Sequence, residues 1–401
     1  MNSDETTSEN SETNGISILS FSNKKKADKK YLKQFVNFHW DHYQGEPRYV
    51  PLLDYEYLGF KLIGMKGIFE PDNIFFKHAD MRFFLATKKG NIVGRCNAFV
   101  NYNHNKHWND RVGFFGHFES IDDAEVVYSL LSNAEAWLKS KGMDTIRGPQ
   151  NLPVNEATPG FLIEGYDSRP VIYYHFNKPY YADLVEELGF KAVKRVFSYE
   201  YLVSSPWEPR LLQGAQKIIE RYDIKMEAWG ERPLEQRKKE MLEIYNEAWN
   251  DNWGFVPFRK EEFYGIIDDM QLVMDKKLFI FVYINGEPAA FFGGVPNVSE
   301  RMVPIKGFRR FELLRAAKML LTKGRIKGFR VGYLGAKKKF RRLGLDAVMI
   351  WKQKTYSRKK GYQYCDLGWV LEDNKMTIRT IEKMMGAKPS KTYIIFEKPI
   401  E

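Results

Sequence analysis

Cysteine is almost absent from this chain: Cys96 and Cys365 are the only two in 401 residues. That excludes a disulfide scaffold and any four-cysteine zinc site. Histidine stops early, with all seven at or before His175, so the second half alone cannot supply a histidine-based catalytic site. Nowhere do 18 apolar residues run together, and the first thirty residues hold no apolar h-region. Neither a membrane-spanning helix nor a signal peptide is expected, and the expected location is a reducing cytoplasm. Aromatic residues, by contrast, make up 15% of the chain, which excludes chain-wide disorder. Only the Ser/Thr/Asn/Glu-rich segment 1–15 reads as a disordered tail.

Acidic residues are missing from one sector. Between Arg301 and Arg342 fifteen Lys/Arg face a single acid, Glu312, a local charge of +14. The whole chain carries +11, so everything else sums to −3. An anionic partner should meet the protein in that sector unless it is simply a solvated face. The segment 305–329 interleaves Phe308, Phe311, Leu314, Met319, Leu320 and Leu321 with Arg309, Arg310, Arg315, Lys318, Lys323 and Arg325. A basic amphipathic insert of this kind suits an anionic membrane surface or packing against another part of the chain. Phosphates would attract the same patch. The sequence carries no helix-turn-helix or RNA-binding signature, however, so nucleic acid is not the expected partner.

The length suits two domains of roughly 150–200 residues each. Ser204-Ser205-Pro206-Trp207 breaks the pattern and divides the chain into 16–205 and 206–401. Asn285-Gly286 between two apolar runs predicts a tight hairpin. The halves also repeat. Val112-Gly113-Phe114-Phe115-Gly116 matches Val331-Gly332-Tyr333-Leu334-Gly335 at an offset of 219, as Lys141-Gly142 matches Lys360-Gly361 and Asn155 matches Asn374. This predicts a duplicated α/β domain in which each copy reads strand, loop, helix, strand. A gapless register would put Arg341-Arg342-Leu343-Gly344 over Asp122-Asp123-Ala124-Glu125. Carboxylates would then stand where the second copy has guanidinium groups, and only the second copy should bind an anion.

In the second copy, cations and a glycine lie just ahead of a helix predicted over 347–358. Open amides and the helix dipole make such a terminus an anion site, and glycine lets the backbone approach a phosphate. The stretch Gly335–Ala347 resembles the acyl-CoA pyrophosphate loop of the GCN5-related N-acetyltransferases (GNAT), written Gln/Arg-x-x-Gly-x-Gly/Ala. Arg341 and Gly344 fit, whereas Asp346 departs from the usual small residue. The resemblance implies two tandem GNAT-like domains, mixed α/β sheets flanked by helices, with acyl-CoA as co-substrate in the second. It implies donor contacts from Leu334, Gly335, Ala336, Arg341, Arg342, Gly344, Leu345, Asp346, Ala347 and Asn374.

The same resemblance has the strand Val331–Gly335 splay open and lend amides to the thioester. Glu372 and Asp373 would take the proton of an amine acceptor, unless Asp373 and Asn374 simply cap the next helix. Ile381 stands where the family often places a Tyr. Trp253 and Phe255 of the aromatic turn 249–257 would line the acceptor pocket or pack in the core. A bacterial subgroup with ceramide-synthase-like enzymes is similar in its tandem copies. That implies a lipid or sphingoid amine, an acyl-CoA or acyl carrier protein donor, and a peripheral place on the inner membrane. A soluble small-molecule acyltransferase, a tRNA-dependent aminoacyl transferase and a non-catalytic nucleic-acid-binding protein are the alternatives. His104, His107 and His117 lack a completing acid or Cys, so no metal is expected.

Overall fold

The computed structural model describes residues 9–13, 15–60, 65–303 and 311–401. They form two compact units. The first takes Met1–Val196, Pro304–Leu313 and Thr392–Glu401, and the second takes Phe197–Val303 and Leu314–Lys391.

The first unit holds strands β1 (Glu9–Thr13), β2 (Ile16–Phe21), β3 (Ala79–Lys88), β4 (Asn91–Asn101), β5 (Val112–Ser120), β6 (Thr145–Gly148) and β7 (Phe161–Glu164). Its helices are α1 (Lys29–His42), α2 (Asp54–Leu58), α3 (Tyr102–Trp108), α4 (Ala124–Ser140) and α5 (Tyr181–Glu187). Strand β8 (Lys191–Leu202) leaves this unit and ends in the second. There follow α6 (Pro209–Arg221), β9 (Ile224–Ala228), α7 (Leu234–Trp249), α8 (Lys260–Met270), β10 (Phe279–Ile284) and β11 (Glu287–Pro296). The chain continues through α9 (Glu312–Thr322), β12 (Gly328–Ala336), α10 (Leu345–Lys360), β13 (Tyr364–Leu371), α11 (Lys375–Arg379) and β14 (Lys388–Pro399).

Within the first unit the strand order is β1-β2-β3-β4-β5-β6-β14, with β7 also on β14. Only β5–β6 is parallel among its registered pairs. The second unit has the order β8-β13-β12-β11-β10-β9, with β12–β13 parallel and β9–β10, β10–β11 and β11–β12 antiparallel. In each, a helix links the parallel pair: α4 in the first and α10 in the second. Helix α4 lays Val126, Val127, Leu130, Leu131, Ala134 and Leu138 into the core with Phe115 and Cys96. Helix α10 does the same with Leu345, Val348, Met349 and Ile350 against Val282, Phe292 and Phe329. The hairpin forms as its two turn residues require, with Asn285 at φ 50° and Gly286 at φ 79°.

The duplication is real at the level of elements. The run β2, α1, α2, β3, β4, β5, α4, β6, α5, β8 recurs as β9, α7, α8, β10, β11, β12, α10, β13, α11, β14. The gapless offset does not survive. Strands β6 and β13 open 219 residues apart, but β5 and β12 open 216 apart and the helix caps Asp123 and Gly344 stand 221 apart. Two residues separate β5 from the cap of α4, and seven separate β12 from the cap of α10. Arg341 and Arg342 therefore lie in an inserted loop with no counterpart in the first unit. Asp123 caps α4 through Glu125 and Val126 amides and pairs with Lys88 Nζ at 2.7 Å.

Other expectations are also revised. Residues 9–13 are a paired strand rather than part of a disordered tail, because edge pairing uses backbone groups and needs no apolar side chains. The division falls at 196/197 instead of 205/206, because β8 runs through the expected boundary, and the last ten residues belong to the first unit. There β14 pairs Phe396 with Gly148 and Ile394 with Phe161, and Tyr393, Ile394, Ile395 and Phe396 are all buried. Residues 204–207 form a loop fastened to α10. Lys354 Nζ bonds the Ser205 and Pro206 carbonyls at 2.8 and 3.1 Å, and Arg358 Nε bonds the Val203 carbonyl at 2.8 Å.

Candidate active site

The parallel pair β12–β13 comes apart. Register runs from Gly328 opposite Tyr364 to Val331 opposite Leu367 and goes no further. At the same point β12 bulges against β11: Val331 faces Gly294 and Tyr333 faces Gly293, leaving Gly332 over and exposed. From there on, the β13-facing edge of β12 keeps backbone donors and acceptors with no strand paired to them among the described residues. Such an edge readily takes an extended polyamide as a further strand. Leu334, Gly335 and Ala336 all lie on it.

The loop beyond is held by acids on α7, in the turn after it and at the start of β11. Lys337 Nζ pairs with Glu243, Lys338 Nζ with Asp251 at 3.1 Å, and Lys339 Nζ with Glu287 at 2.6 Å. The Lys338 amide donates to Glu247 at 2.6 Å. Much of the basic run is thus neutralised internally. Arg341 and Arg342 remain exposed and make no ion pair among the described residues. Arg341 Nη2 donates to the neutral Ala248 carbonyl at 2.8 Å, which fixes the side chain without an ion pair. Gly344 is the cap of α10 at φ 77°, ψ 23°. The left-handed backbone favours glycine, while Ile218 Cδ1, 2.7 Å from where a Cβ would be, is the end of a side chain that can move aside. Leu345 and Asp346 then begin the helix, with their amides ahead of its first turn and Ala347 buried behind them. Gly344→Val is expected to cost about 1–3 kcal/mol from strain at this backbone conformation. Urea unfolding would measure it, and a cost below about 0.5 kcal/mol would contradict the strain.

An aromatic cluster stands over the same strand. Tyr245 stacks on Trp249 at 4.6 Å and reaches Phe255 at 5.6 Å and Phe258 at 5.3 Å. Trp249 Cζ3 lies 2.5 Å from the Cβ position of Gly335, so only glycine admits the indole. Asn246 clamps the turn by bonding both N and O of Phe258 at 3.0 Å. Phe255 is buried in this cluster and Trp253 is half-buried beside it in sequence.

Glu372 and Asp373 occupy the turn after β13, Glu372 half-buried and Asp373 exposed. The cap of α11 is Asn374, whose Oδ1 accepts from the Thr377 amide at 3.3 Å. Its oxygen serves the helix, and its amide nitrogen is left for another contact. Ile381 is buried and brings no proton. Burial also pushes the Cys365 thiol up, as a core residue rather than a nucleophile requires.

Sequence reasoning missed a buried polar group under the fork. Arg330 and Asp366 face each other across β12–β13, both buried. Arg330 Nε donates to the Gly368 carbonyl at 3.1 Å, and its guanidinium carbon lies 3.9 Å from the Cβ position of Gly332. Ser198 Oγ donates to Asp366 Oδ2. Gly332 inside an apolar strand was the available signal, since a lone strand glycine often marks a bulge.

The first unit closes the corresponding opening with its own chain. Beyond Phe114, paired with Arg147, the Gln150 amide donates to the Phe115 carbonyl at 2.7 Å. The His117 amide donates to Asn151 Oδ1 at 2.7 Å, and the Leu152 amide to His117 Nε2 at 3.2 Å. Further along β5, buried Glu119 accepts from Tyr43 at 2.6 Å and Tyr181 at 2.8 Å, and burial raises its pKa. His104 lies on the helical segment α3, and its ring packs edge-on to Phe114 at 4.9 Å.

No family model matches the chain. It is 30% identical over 338 residues to the bacterial ceramide synthase of Caulobacter vibrioides, covering 82% of this chain and 86% of that protein. It is 28% identical over 382 residues to Protein YghO of Escherichia coli K12, covering 93% and 94%. A tandem GNAT protein from the clavulanic acid biosynthesis pathway superposes with a TM-score of 0.53 at 9% identity over 96% of this chain and 99% of its own, which establishes the tandem fold.

Proposed function

We propose, for a chain that belongs to the family of the bacterial ceramide synthase and has the tandem GNAT fold, that this acyltransferase N-acylates a long-chain lipid amine from an acyl-CoA held by the second unit. The parting of β12 from β13 at Val331 is the observation that carries the reading. Pantetheine is a short polyamide, and the freed edge at Leu334, Gly335 and Ala336 offers it strand-like bonds. Arg341, Arg342 and the amides of Leu345 and Asp346 receive the pyrophosphate at the α10 terminus. Ala347 closes the first turn, and the Asn374 amide nitrogen is assigned to the donor. The first unit, whose opening is filled by 150–152, takes no donor.

The chemistry is a displacement at the thioester carbonyl. Neutral amine nitrogen attacks the carbonyl carbon, the C–N bond forms, and the C–S bond breaks to release the CoA thiolate. Glu372 or Asp373 takes the ammonium proton, directly or through water, and the thiolate takes a proton from solvent. Strand amides at the bulge stabilise the oxyanion. Arg330 and Asp366 are positioning residues that hold the fork open. Trp253 and Phe255 edge the acceptor side, where the aromatic cluster suits an alkyl chain. A lipid amine of this length is delivered from a membrane surface.

Isothermal titration with a long-chain acyl-CoA tests the donor site. Saturable binding is expected, weakened at least about a hundredfold by Arg341→Glu with Arg342→Glu, since two charge-assisted phosphate contacts are reversed. No binding to the wild type, or binding indifferent to the double reversal, ends the proposal. Turnover that requires a charged tRNA would point to aminoacyl transfer instead.

A further inference from the structure

Helix α9 is amphipathic the wrong way round. Arg315 is fully buried, its guanidinium donating to the Met302 carbonyl at 3.0 and 3.2 Å, and Met319 one turn on is buried too. Leu321 is 86% exposed, Leu313 62%, Leu314 47% and Leu320 38%. Positions 313, 314, 317, 320 and 321 fall on one face of a helix of 3.6 residues per turn. Leu272 extends the apolar surface: it is 59% exposed, and its carbonyl accepts from Lys323 Nζ at 3.3 Å beside the end of α9. Met319, expected among the anchors, faces inward instead; Phe308 lies outside the described residues.

We infer that this leucine face of α9 docks on an anionic phospholipid bilayer. Four exposed leucines on a single helix need an apolar occupant. Lys323, Arg325 and Lys327 follow directly and are exposed. No acid occurs from Leu313 to Arg342. The occupant therefore has an apolar interior and an anionic rim, as acyl chains beneath lipid phosphates do. A second copy of this chain would bring the same cations against themselves. Shallow apolar insertion and surface charge are each weak, and reversible attachment needs both. The inference rests on the lipid-amine reading for its purpose and on α9 alone for its geometry.

Flotation of the full chain with phosphatidylglycerol vesicles tests it, against phosphatidylcholine vesicles and at low and high salt. Wild type is expected to float with the anionic vesicles and to be released by salt. Leu320→Asp with Leu321→Asp should weaken binding at least about tenfold, and Lys323→Glu with Arg325→Glu should do the same without touching the leucines. Unaltered thermal melting certifies that these surface variants fold. Wild type that ignores anionic vesicles overturns the inference. So does leucine-variant binding equal to wild type, or light scattering that finds a dimer broken by Leu321→Asp without vesicle binding. Acylation of a lipid amine in detergent micelles is measured in parallel. Micellar turnover without flotation sinks the docking face alone, and flotation without turnover sinks the lipid-amine reading alone.

Discussion

Arg237→Met is expected to destabilise the second unit by about 3–5 kcal/mol, the usual cost of removing one partner from a buried ionic group. Arg237 is fully buried on α7. It bonds Glu227 at 2.8 Å, Glu240 at 3.0 Å, the Ala228 carbonyl at 2.9 Å and the Tyr283 hydroxyl. Tyr283 in turn donates to Glu240. Arg232 supports the same two carboxylates at 2.5 and 3.2 Å but is partly exposed and cannot replace a buried guanidinium. Without Arg237 the carboxylates stay buried with too little positive charge. For a unit of this size the loss corresponds to roughly 6–20 °C in Tm. Because α7 also carries Tyr245, Trp249 and the carbonyl that receives Arg341, donor affinity should fall with stability. Arg237→Met with Glu240→Leu should recover part of the loss, since replacing both partners is far cheaper than orphaning one. A Tm within about 2 °C of wild type for the single variant would mean that the network contributes little.

Acidification is expected to strike the first unit. Burial, then the charges of Lys178 and Arg95, push His42 down to about 3. Burial pushes His175 down to about 4 and His117 well below its usual value. Above pH ~6.5 both folded and unfolded chains keep these rings neutral. Below it the unfolded chain takes protons that the folded unit refuses, and each ring removes about 1.4 kcal/mol of stability per pH unit until its folded pKa is reached. Three rings together remove up to about 6 kcal/mol at pH 5. Glu119 offsets part of this, because its raised pKa lets the folded state take a proton first. The second unit holds no histidine. Its acid response comes lower, where Glu227, held at about 2 chiefly by Arg232, gives up its stabilisation as pH falls through its folded pKa. Calorimetry between pH 7.5 and 5 should show a steep fall that His175→Asn flattens, and a flat profile would contradict the burial of these rings.

What the sequence made legible follows from where each signal lives. Element order and the Asn285-Gly286 hairpin could be read because periodicity and turn chemistry are local. Gly344 was readable as a cap for the same reason. The true alignment of the copies was not, because the five extra residues between β12 and α10 sit in a loop without periodicity. Buried charges were equally hidden. Hydropathy treats Arg237, Arg315, Arg330 and Asp366 as surface residues, yet each is inside because folding brings polar partners to it, such as Glu227 and Tyr283 to Arg237 and Ser198 to Asp366. The basic run was overread for the mirror-image reason: Glu243 on α7, Asp251 in the turn after it and Glu287 at the start of β11 pair with Lys337, Lys338 and Lys339.

The membership of β14 has a consequence for synthesis. The first unit is missing its terminal strand until Thr392–Glu401 leaves the ribosome. At about 5–20 residues per second, the 196 residues from Val196 to Thr392 take roughly 10–40 s to add. During that interval β6 offers an unpaired edge, and the core face meant for Ile394 and Phe396 stays open. An edge of that kind is a template for mispairing between nascent chains. The first unit thus reaches its native state only once Thr392–Glu401 has emerged, and its yield in the cell should depend on chaperones that shelter the unfinished sheet.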